Sequence, residues 1–132
     1  MDNTIFVSSD LDVVMARIEA RKLAKQMGFN TADQARISLA ASELARALSW
    51  NNEVPGEIIF STASQNGQQG MQVVCLVKRE YVEANKNGDS TEPPEISIPN
   101  RCLTGARQLV DESFIEEQEG QKAQITLIKW LN

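Results

Sequence analysis

Few side chains in this sequence could carry out nucleophilic or metal chemistry. The 132 residues include no histidine, which rules out phosphorylation on histidine, a histidine-ligated zinc and a Ser-His or Cys-His nucleophile within the chain. Cys75 and Cys102 are far apart and lack metal-ligand spacing. They are therefore expected to be buried or free thiols in a reducing cytosol, and no metal site is predicted. The remaining candidate is one carboxylate, Glu43.

Glu43 lies in the stretch Thr31–Trp50, which has the pattern of a single helix. Thr31 and Gln34 predict a capping box at its start, and Gly28 is expected to end a preceding helix. The face predicted to be buried carries apolar residues at helical spacing, which are Ile37, Ala41, Leu44 and Leu48. The face of Glu43 also carries Arg36, Ala40, Ala47 and Trp50, so that small residues lie beside the one carboxylate. Taken alone, such a carboxylate is most simply a solvated surface charge.

The remaining elements predict one sheet covered by helices. In chain order, the expected elements are an edge strand, two helices, two strands, a helix and a closing hairpin. Their bounds are Asn3–Ser8, Leu11–Met27, Thr31–Trp50, Glu57–Ala63, Met71–Val77, Leu103–Ser113 and Phe114–Leu131. Asn66-Gly67 signals a hairpin within a longer loop, 65–70. The continuous apolar run of Met71–Val77 predicts a central, well-buried strand. The first helix is expected to bury its larger apolar residues, which are Leu11, Val14, Met15 and Ile18.

This order predicts a single domain over residues 1–132. The fold class is α/β, a two-layer α+β sandwich with helices on one face of a mixed, mostly antiparallel sheet. Within it, the polar interval Arg79–Arg101 is predicted to be a lid-like loop, because so long a polar run is rarely a plain connection.

Charge and hydropathy limit the partners. The formal net charge of −5 argues against a large nucleic-acid surface. No apolar run approaches the roughly 20 residues that cross a bilayer, and the N-terminus lacks the pattern of a secretory signal. We therefore expect a cytoplasmic protein without membrane or nucleic-acid partners. The basic side of the first helix, which includes Arg17 and Arg21, is either a solvated face or a docking surface for an acidic partner.

Three segments of the sequence resemble a known family. They are ARKLAKQMGFNTADQARISLAASELARALSW (20–50), LTGARQLVDES (103–113) and KAQITLIKWLN (122–132). They look like the RsbT-type switch kinases, which belong with the RsbW- and SpoIIAB-like anti-sigma factors in the histidine-kinase/Hsp90-like ATPase fold. The resemblance implies ATP and magnesium bound between the second helix and the sheet. It also implies phosphorylation of a STAS-domain antagonist, and exchange between that partner and a sigma factor or the regulatory domain of a phosphatase.

The nucleotide site that the resemblance implies is incomplete here. Glu43 matches the glutamate that polarises the attacking hydroxyl in the family. Ala47 stands where the family has the magnesium-binding Asn, and Val77 where it has the Asp that contacts adenine. Of the glycine-rich phosphate loop, only Gly105 remains. Since each substituted position has a different physical task, the sequence predicts that ATP binding is lost and that no cofactor is used.

The sequence therefore favours a protein-binding module of partner-switching signalling. The expected partner is a STAS-domain protein, a sigma factor or a phosphatase regulatory domain. The residues expected to bind it are Arg17, Arg21, Arg46 and Trp50. One alternative is an active ATP-dependent Ser/Thr kinase that contacts phosphate through Lys78, Arg79 and Arg101. Another is a loop reassigned to a small ligand, such as calcium at residues 83–89, or to a homodimer interface.

Overall fold

The computed structural model describes residues 3–49, 56–78, 104–117 and 122–131, which form two long helices packed on a five-stranded sheet. The elements in chain order are β1 (Asn3–Val7), α1 (Asp10–Met27), α2 (Thr31–Ser49), β2 (Gly56–Gln65), β3 (Gln68–Lys78), a short helix α3 (104–108), β4 (Glu112–Glu117) and β5 (Lys122–Trp130). The strand order is β1-β2-β3-β5-β4, and every neighbouring pair is antiparallel. The predicted two-layer architecture is confirmed, and in the described ranges the sheet is wholly antiparallel.

The core lies between the helices and one face of the sheet. Cys75 of the central strand β3 is opposite Ile58 of β2 and Ile125 of β5, and all three are buried. The continuous apolar run in β3 had predicted this central position. Burial raises the pKa of the Cys75 thiol, so it remains a neutral, packed side chain, as expected from the sequence.

The hairpin between β2 and β3 is tighter than predicted. Gln65 pairs with Gln68, so the loop has only the two residues Asn66 and Gly67. Both have positive φ, 53° and 81°, as the favoured two-residue hairpin turns with an Asn-Gly sequence require. The prediction of a longer loop, 65–70, was wrong because the ends of both strands are polar and gave no apolar signal. Their backbones nevertheless continue the hydrogen-bond ladder between β2 and β3.

The two long helices meet where the sequence placed the boundary, but the cap of α2 differs. Gly28 ends α1 in the left-handed conformation, with φ 96°. The predicted capping box on Thr31 is wrong, because Asn30 caps the helix. Its side-chain oxygen Oδ1 accepts a hydrogen bond from the backbone N–H of Asp33 at 2.8 Å. Gln34 instead donates to the carbonyl of Phe29 at 2.8 Å. Asn is at least as good a cap as Thr, and it lies one residue earlier.

The predicted buried face of α1 is wrong. The side chains that α1 buries are smaller and lie on a neighbouring row, Val13, Ala16, Ala20, Leu23 and Ala24. The residues expected to be buried are exposed, with Leu11 at 70%, Val14 at 44%, Met15 at 49% and Ile18 at 56%. Two rows of α1 had helical spacing, and α1 packs on the alanine-rich α2 with the row of smaller residues. In the ranges described, no helix is long and apolar enough to cross a membrane.

The third helix is shorter than predicted. Leu103–Ser113 was expected to be helical throughout, but among the described residues α3 covers 104–108, and β4 already begins at Glu112. Ala106 is buried, and Leu109 and Val110 pack against the core after the helix has ended. The helical spacing of these residues therefore continues through a turn that leads into β4.

Gly70 gives a first testable prediction. A Cβ at Gly70 would lie 2.5 Å from the carbonyl oxygen of Lys129 and 2.9 Å from the ring of Trp130. Because backbone must move to relieve this contact, Gly70→Ala is expected to lower the free energy of unfolding by about 1–2 kcal/mol. Urea denaturation would measure the difference. An unchanged denaturation midpoint would show that the strand pair β3–β5 adjusts without cost.

Candidate functional site

The structure brings together two of the residues that the family resemblance singled out. Glu43 on α2 lies beside Gly105 on α3. A Cβ placed on Gly105 would be 3.8 Å from Oε2 and 4.0 Å from Cγ of Glu43. The position expected to hold the catalytic glutamate and the remaining glycine of the expected phosphate loop are therefore neighbours, with Glu43 partly buried between α2 and α3.

The two substituted positions lie on α2 and β3, the elements that the family resemblance expects to border a nucleotide. Ala47 is one turn after Glu43 on α2 and has no exposed surface. Val77 is in β3, where it pairs with Ala123 of β5. Alanine and valine have no polar side-chain atom, whereas magnesium is bound in proteins by oxygen ligands. Neither side chain can supply a magnesium ligand or a hydrogen bond to adenine.

The carboxylate of Glu43 is paired with a side chain from its own helix. Arg46 Nη1 lies 3.1 Å from Glu43 Oε1. The guanidinium is about half exposed, so the pair is only partly shielded from water and contributes at most about 1 kcal/mol. The pair gives Glu43 a structural partner, and it orients Arg46, one of the residues expected to bind a partner protein.

The other expected binding residues are on different parts of the molecule. Arg17 and Arg21 are exposed and lie one turn apart on α1. Trp50, the predicted lid Arg79–Arg101 and Cys102 lie outside the described residues. The alternatives that used Arg79, Arg101 and the run 83–89 fall outside them too, and Lys78 is described only as the last residue of β3.

A charged cluster that sequence reasoning missed joins the start of α2 to the sheet. Lys129 of β5 is only 8% exposed and Asp33 of α2 only 4%. Lys129 Nζ lies 3.1 and 3.2 Å from the two carboxylate oxygens of Asp111 and 3.7 Å from Oδ1 of Asp33. Arg36 Nη1 donates to the same oxygen of Asp33 at 2.7 Å. We call these four residues the Lys129 cluster.

The Lys129 cluster also orders the end of β5. The backbone N–H of Trp130 donates to Asp111 Oδ2 at 2.7 Å, and its indole N–H donates to the carboxylate of Glu112. Two motifs of the family resemblance, GFNTADQARI (28–37) and IKWL (128–131), therefore meet in one place. Both motifs carry the same family resemblance although they are far apart in the sequence, and this was the sequence feature that could have indicated the contact. Both motifs contribute to the fold here, away from Glu43.

Comparison with known proteins defines first the fold and then the family. The fold matches a chain in the crystal structure of the SiaB–SiaC complex from Pseudomonas aeruginosa, with a TM-score of 0.60 over 99% of this chain and 89% of that chain, at 9% sequence identity. No protein-family model matches the sequence. Over 129 residues the chain is 30% identical to the serine/threonine-protein kinase RsbT of Bacillus subtilis (strain 168), covering 95% of this chain and 93% of RsbT. The chain belongs to the RsbT family, which confirms the resemblance drawn from its motifs.

Proposed function

We propose that this protein is a regulatory protein-binding module of partner-switching signalling that works without ATP. The observation that carries the proposal is Ala47. It is fully buried one turn from Glu43, at the position where the family resemblance expects the magnesium-binding amide. Without an oxygen there, α2 lacks the side chain that the family resemblance expects to hold magnesium against the phosphates of a nucleotide.

The surroundings of Glu43 support the same proposal. Its carboxylate has a basic partner in Arg46 at 3.1 Å, and a Cβ placed on Gly105 would lie 3.8 Å from Oε2 of Glu43. The ion pair within α2 and the close approach to α3 account for this carboxylate without a substrate. We assign Glu43 a structural role.

A STAS-domain protein is the partner that we propose, and the cytoplasm is the compartment. Membership in the RsbT family supports a role in phosphorylation-linked partner exchange. Arg17 and Arg21 on the exposed side of α1 offer two positive charges one turn apart to an acidic partner. A sigma factor or a phosphatase regulatory domain would be recognised by the same kind of surface.

Calorimetric titration tests the proposal directly. Titrating the purified chain with ATP and magnesium is expected to give no binding heat. The nucleotide is raised to about millimolar concentration so that even a weak site, with a Kd near that value, would be detected. Titrating it with STAS-domain proteins from the same genome is expected to give binding at micromolar Kd without nucleotide. RsbT of Bacillus subtilis, titrated in parallel with ATP and magnesium, is the matched control.

One observation favours a second candidate function, that of an active kinase. Glu43 and Gly105 are adjacent, as a phosphoryl-transfer site of this family would require. This candidate predicts that labelled phosphate passes from ATP to a STAS-domain protein and that Glu43→Gln abolishes the transfer. One-to-one ATP binding together with Glu43-dependent transfer would overturn the proposal of an ATP-independent module. Absence of both would remove the kinase.

A further inference from the structure

The face of the sheet that points away from α1 and α2 carries an uncharged row of residues. Side chains alternate between the two faces of a strand, and the core shared with the helices takes Ile58 of β2 and Cys75 of β3. The residues next to them in each strand therefore lie on the opposite face, which we call the open face. One row of paired residues crosses all five strands there: Thr4, Ile59, Val74, Thr126 and Phe114. We call this row the open strip.

The open strip departs from the usual pattern of a sheet face that meets water. The outer face of an antiparallel sheet is commonly polar, so that its strands alternate between apolar and polar residues. β3 does not alternate, because the run Val73–Leu76 is apolar throughout, and the core takes only every second residue of it. On the open face, Val74 and Ile59 are half-buried, and Phe114 is 45% exposed. The open strip thus has the composition of a surface that is covered by another element.

The charged residues in the two rows that flank the open strip are all glutamates. On one side, Glu57 of β2 and Glu116 of β4 are two residues along their strands from members of the strip. On the other side is Glu112, whose carboxylate accepts the indole N–H of Trp130. The remaining members of these two rows carry no charge, and they are Phe6, Leu76, Gln124, Ser61, Gln72 and Ile128. The open strip therefore has an acidic rim on both sides.

The acidic rim selects among the partners that an apolar strip could bind. Two copies of this chain packed face to face on the strip would bring their glutamates together, and such like-charge contacts oppose association. Nucleic acid and anionic lipid would be repelled for the same reason. A helix with an apolar stripe between two rows of Lys or Arg complements both the strip and its rim.

We propose that the open strip binds a basic amphipathic helix of a partner protein. Neighbouring strands are about 4.8 Å apart, so the strip is about 19 Å long. A helix of about 13 residues has the same length, because it rises about 1.5 Å per residue. Such a helix would place its apolar stripe on Ile59, Val74 and Phe114, and its basic side chains would lie beside the rim.

The open strip is separate from the surface proposed for a STAS-domain partner. Arg17 and Arg21 are on α1, in the other layer of the fold, and their charge suits an acidic partner. A basic helix on the sheet and an acidic partner on α1 would therefore bind without competing for the same residues. The open strip would provide this second contact whether or not the chain also binds ATP.

Fluorescence anisotropy of the full chain with two synthetic peptides tests the proposal. The probe is a labelled peptide of about 18 leucine and lysine residues, with its leucines on one face of a helix. A peptide of the same composition in scrambled order is the matched control. The amphipathic peptide is expected to bind with a Kd of about 10 μM, and the scrambled peptide at least about 10-fold more weakly. Equal affinities would overturn the proposal, since charge alone would then account for binding, and so would no binding at about 1 mM.

Two variants test where the amphipathic peptide binds. Phe114→Lys is expected to weaken binding at least about 10-fold, because it removes an apolar contact and adds a positive charge to the strip. Leu39→Lys adds the same charge at a residue that is also 45% exposed but lies on α2, and it is expected to leave the affinity within about twofold. Both positions are exposed, so both variants should keep the far-ultraviolet circular dichroism of the parent.

Two outcomes of the variant experiment would overturn the proposal. Equal weakening by Phe114→Lys and Leu39→Lys would show that the peptide binds away from the open strip. A lower mass of Phe114→Lys than of the parent in sedimentation equilibrium would show that a second copy of the chain occupies the strip. Glu116→Lys, in the rim, is expected to weaken peptide binding and to reduce its dependence on salt, because one attractive charge is replaced by a repulsive one.

Discussion

Lys129→Met is expected to lower the free energy of unfolding by about 3 kcal/mol, although the residue is remote from Glu43. The ammonium group of Lys129 is buried between Asp111, at 3.1 Å, and Asp33, at 3.7 Å. Removing one member of a buried ion pair typically costs about 3–5 kcal/mol, because a charge is left without its partner. Arg36 still pairs with Asp33 at 2.7 Å, and the side chain of Asp111 is 40% exposed to water. Both facts place the expected loss at the lower end of that range.

Urea denaturation of the parent and variant measures this loss, with Lys22→Met as the control. Lys22 is a 61% exposed lysine whose nitrogen lies 4.0 Å from Glu19 on the same helix, and removing such a pair changes stability by less than about 0.5 kcal/mol. Equal effects of the two substitutions would show that the Lys129 cluster is no stronger than a surface pair. In a double-mutant cycle, Asp33→Asn should cost less in the Lys129→Met background, because the two residues interact.

Periodicity was sufficient to predict α2 and the central strand. The expected apolar positions of α2, Ile37, Ala41, Leu44 and Leu48, are all buried. β3 was expected to be central from its run of apolar residues, and it lies between β2 and β5. In α2 only one face repeats large apolar residues at helical spacing, and a continuous apolar run such as that of β3 suits a central strand. The sequence pattern therefore indicated a single arrangement for each element.

In α1, tertiary packing did have to choose, and hydropathy pointed to the wrong row. The larger residues Met15 and Ile18 offer more apolar surface than Ala16 and Ala20, yet the alanines are the buried ones. Alanine is also frequent among the buried residues of α2, and helices that meet through small side chains can pack at the shorter end of the interhelical distances. The row of larger residues on α1 consequently remains exposed.

The candidate site was predicted by resemblance, and the charged cluster was not predicted at all. The resemblance assigned Glu43 and Gly105 to the same expected site, because the motifs of a family occupy fixed places in its fold. The structure places the two residues next to each other. Asp33 and Lys129 are charged residues far apart in the chain, and a charge on a helix or strand is ordinarily interpreted as solvated. Only the packing of α2 on β5 shows that these two are buried together.

Ala47→Asn, which restores the amide that the family uses, is expected to lower the free energy of unfolding by about 2–3 kcal/mol. Ala47 has no exposed surface, so the larger side chain must displace its neighbours, at a cost of about 1–3 kcal/mol. The amide would also lose its water, which costs about 1–3 kcal/mol unless new hydrogen bonds form. Ala35→Asn in the same helix is the control, since Ala35 is partly exposed and should lose only the helix propensity difference of about 0.6 kcal/mol.

The same variant tests whether one substitution silenced the nucleotide site. The introduced amide would supply one oxygen for magnesium, but Val77 would still offer no hydrogen bond to adenine, and Gly105 would still be the only glycine of its loop. We therefore expect calorimetric titration of Ala47→Asn with ATP and magnesium to give no binding heat, as for the parent chain. If the variant kept the stability of the parent and bound ATP, the space around position 47 would be an intact magnesium site. Loss of ATP binding would then follow from Ala47 alone, and the remaining substitutions would be compatible with a nucleotide.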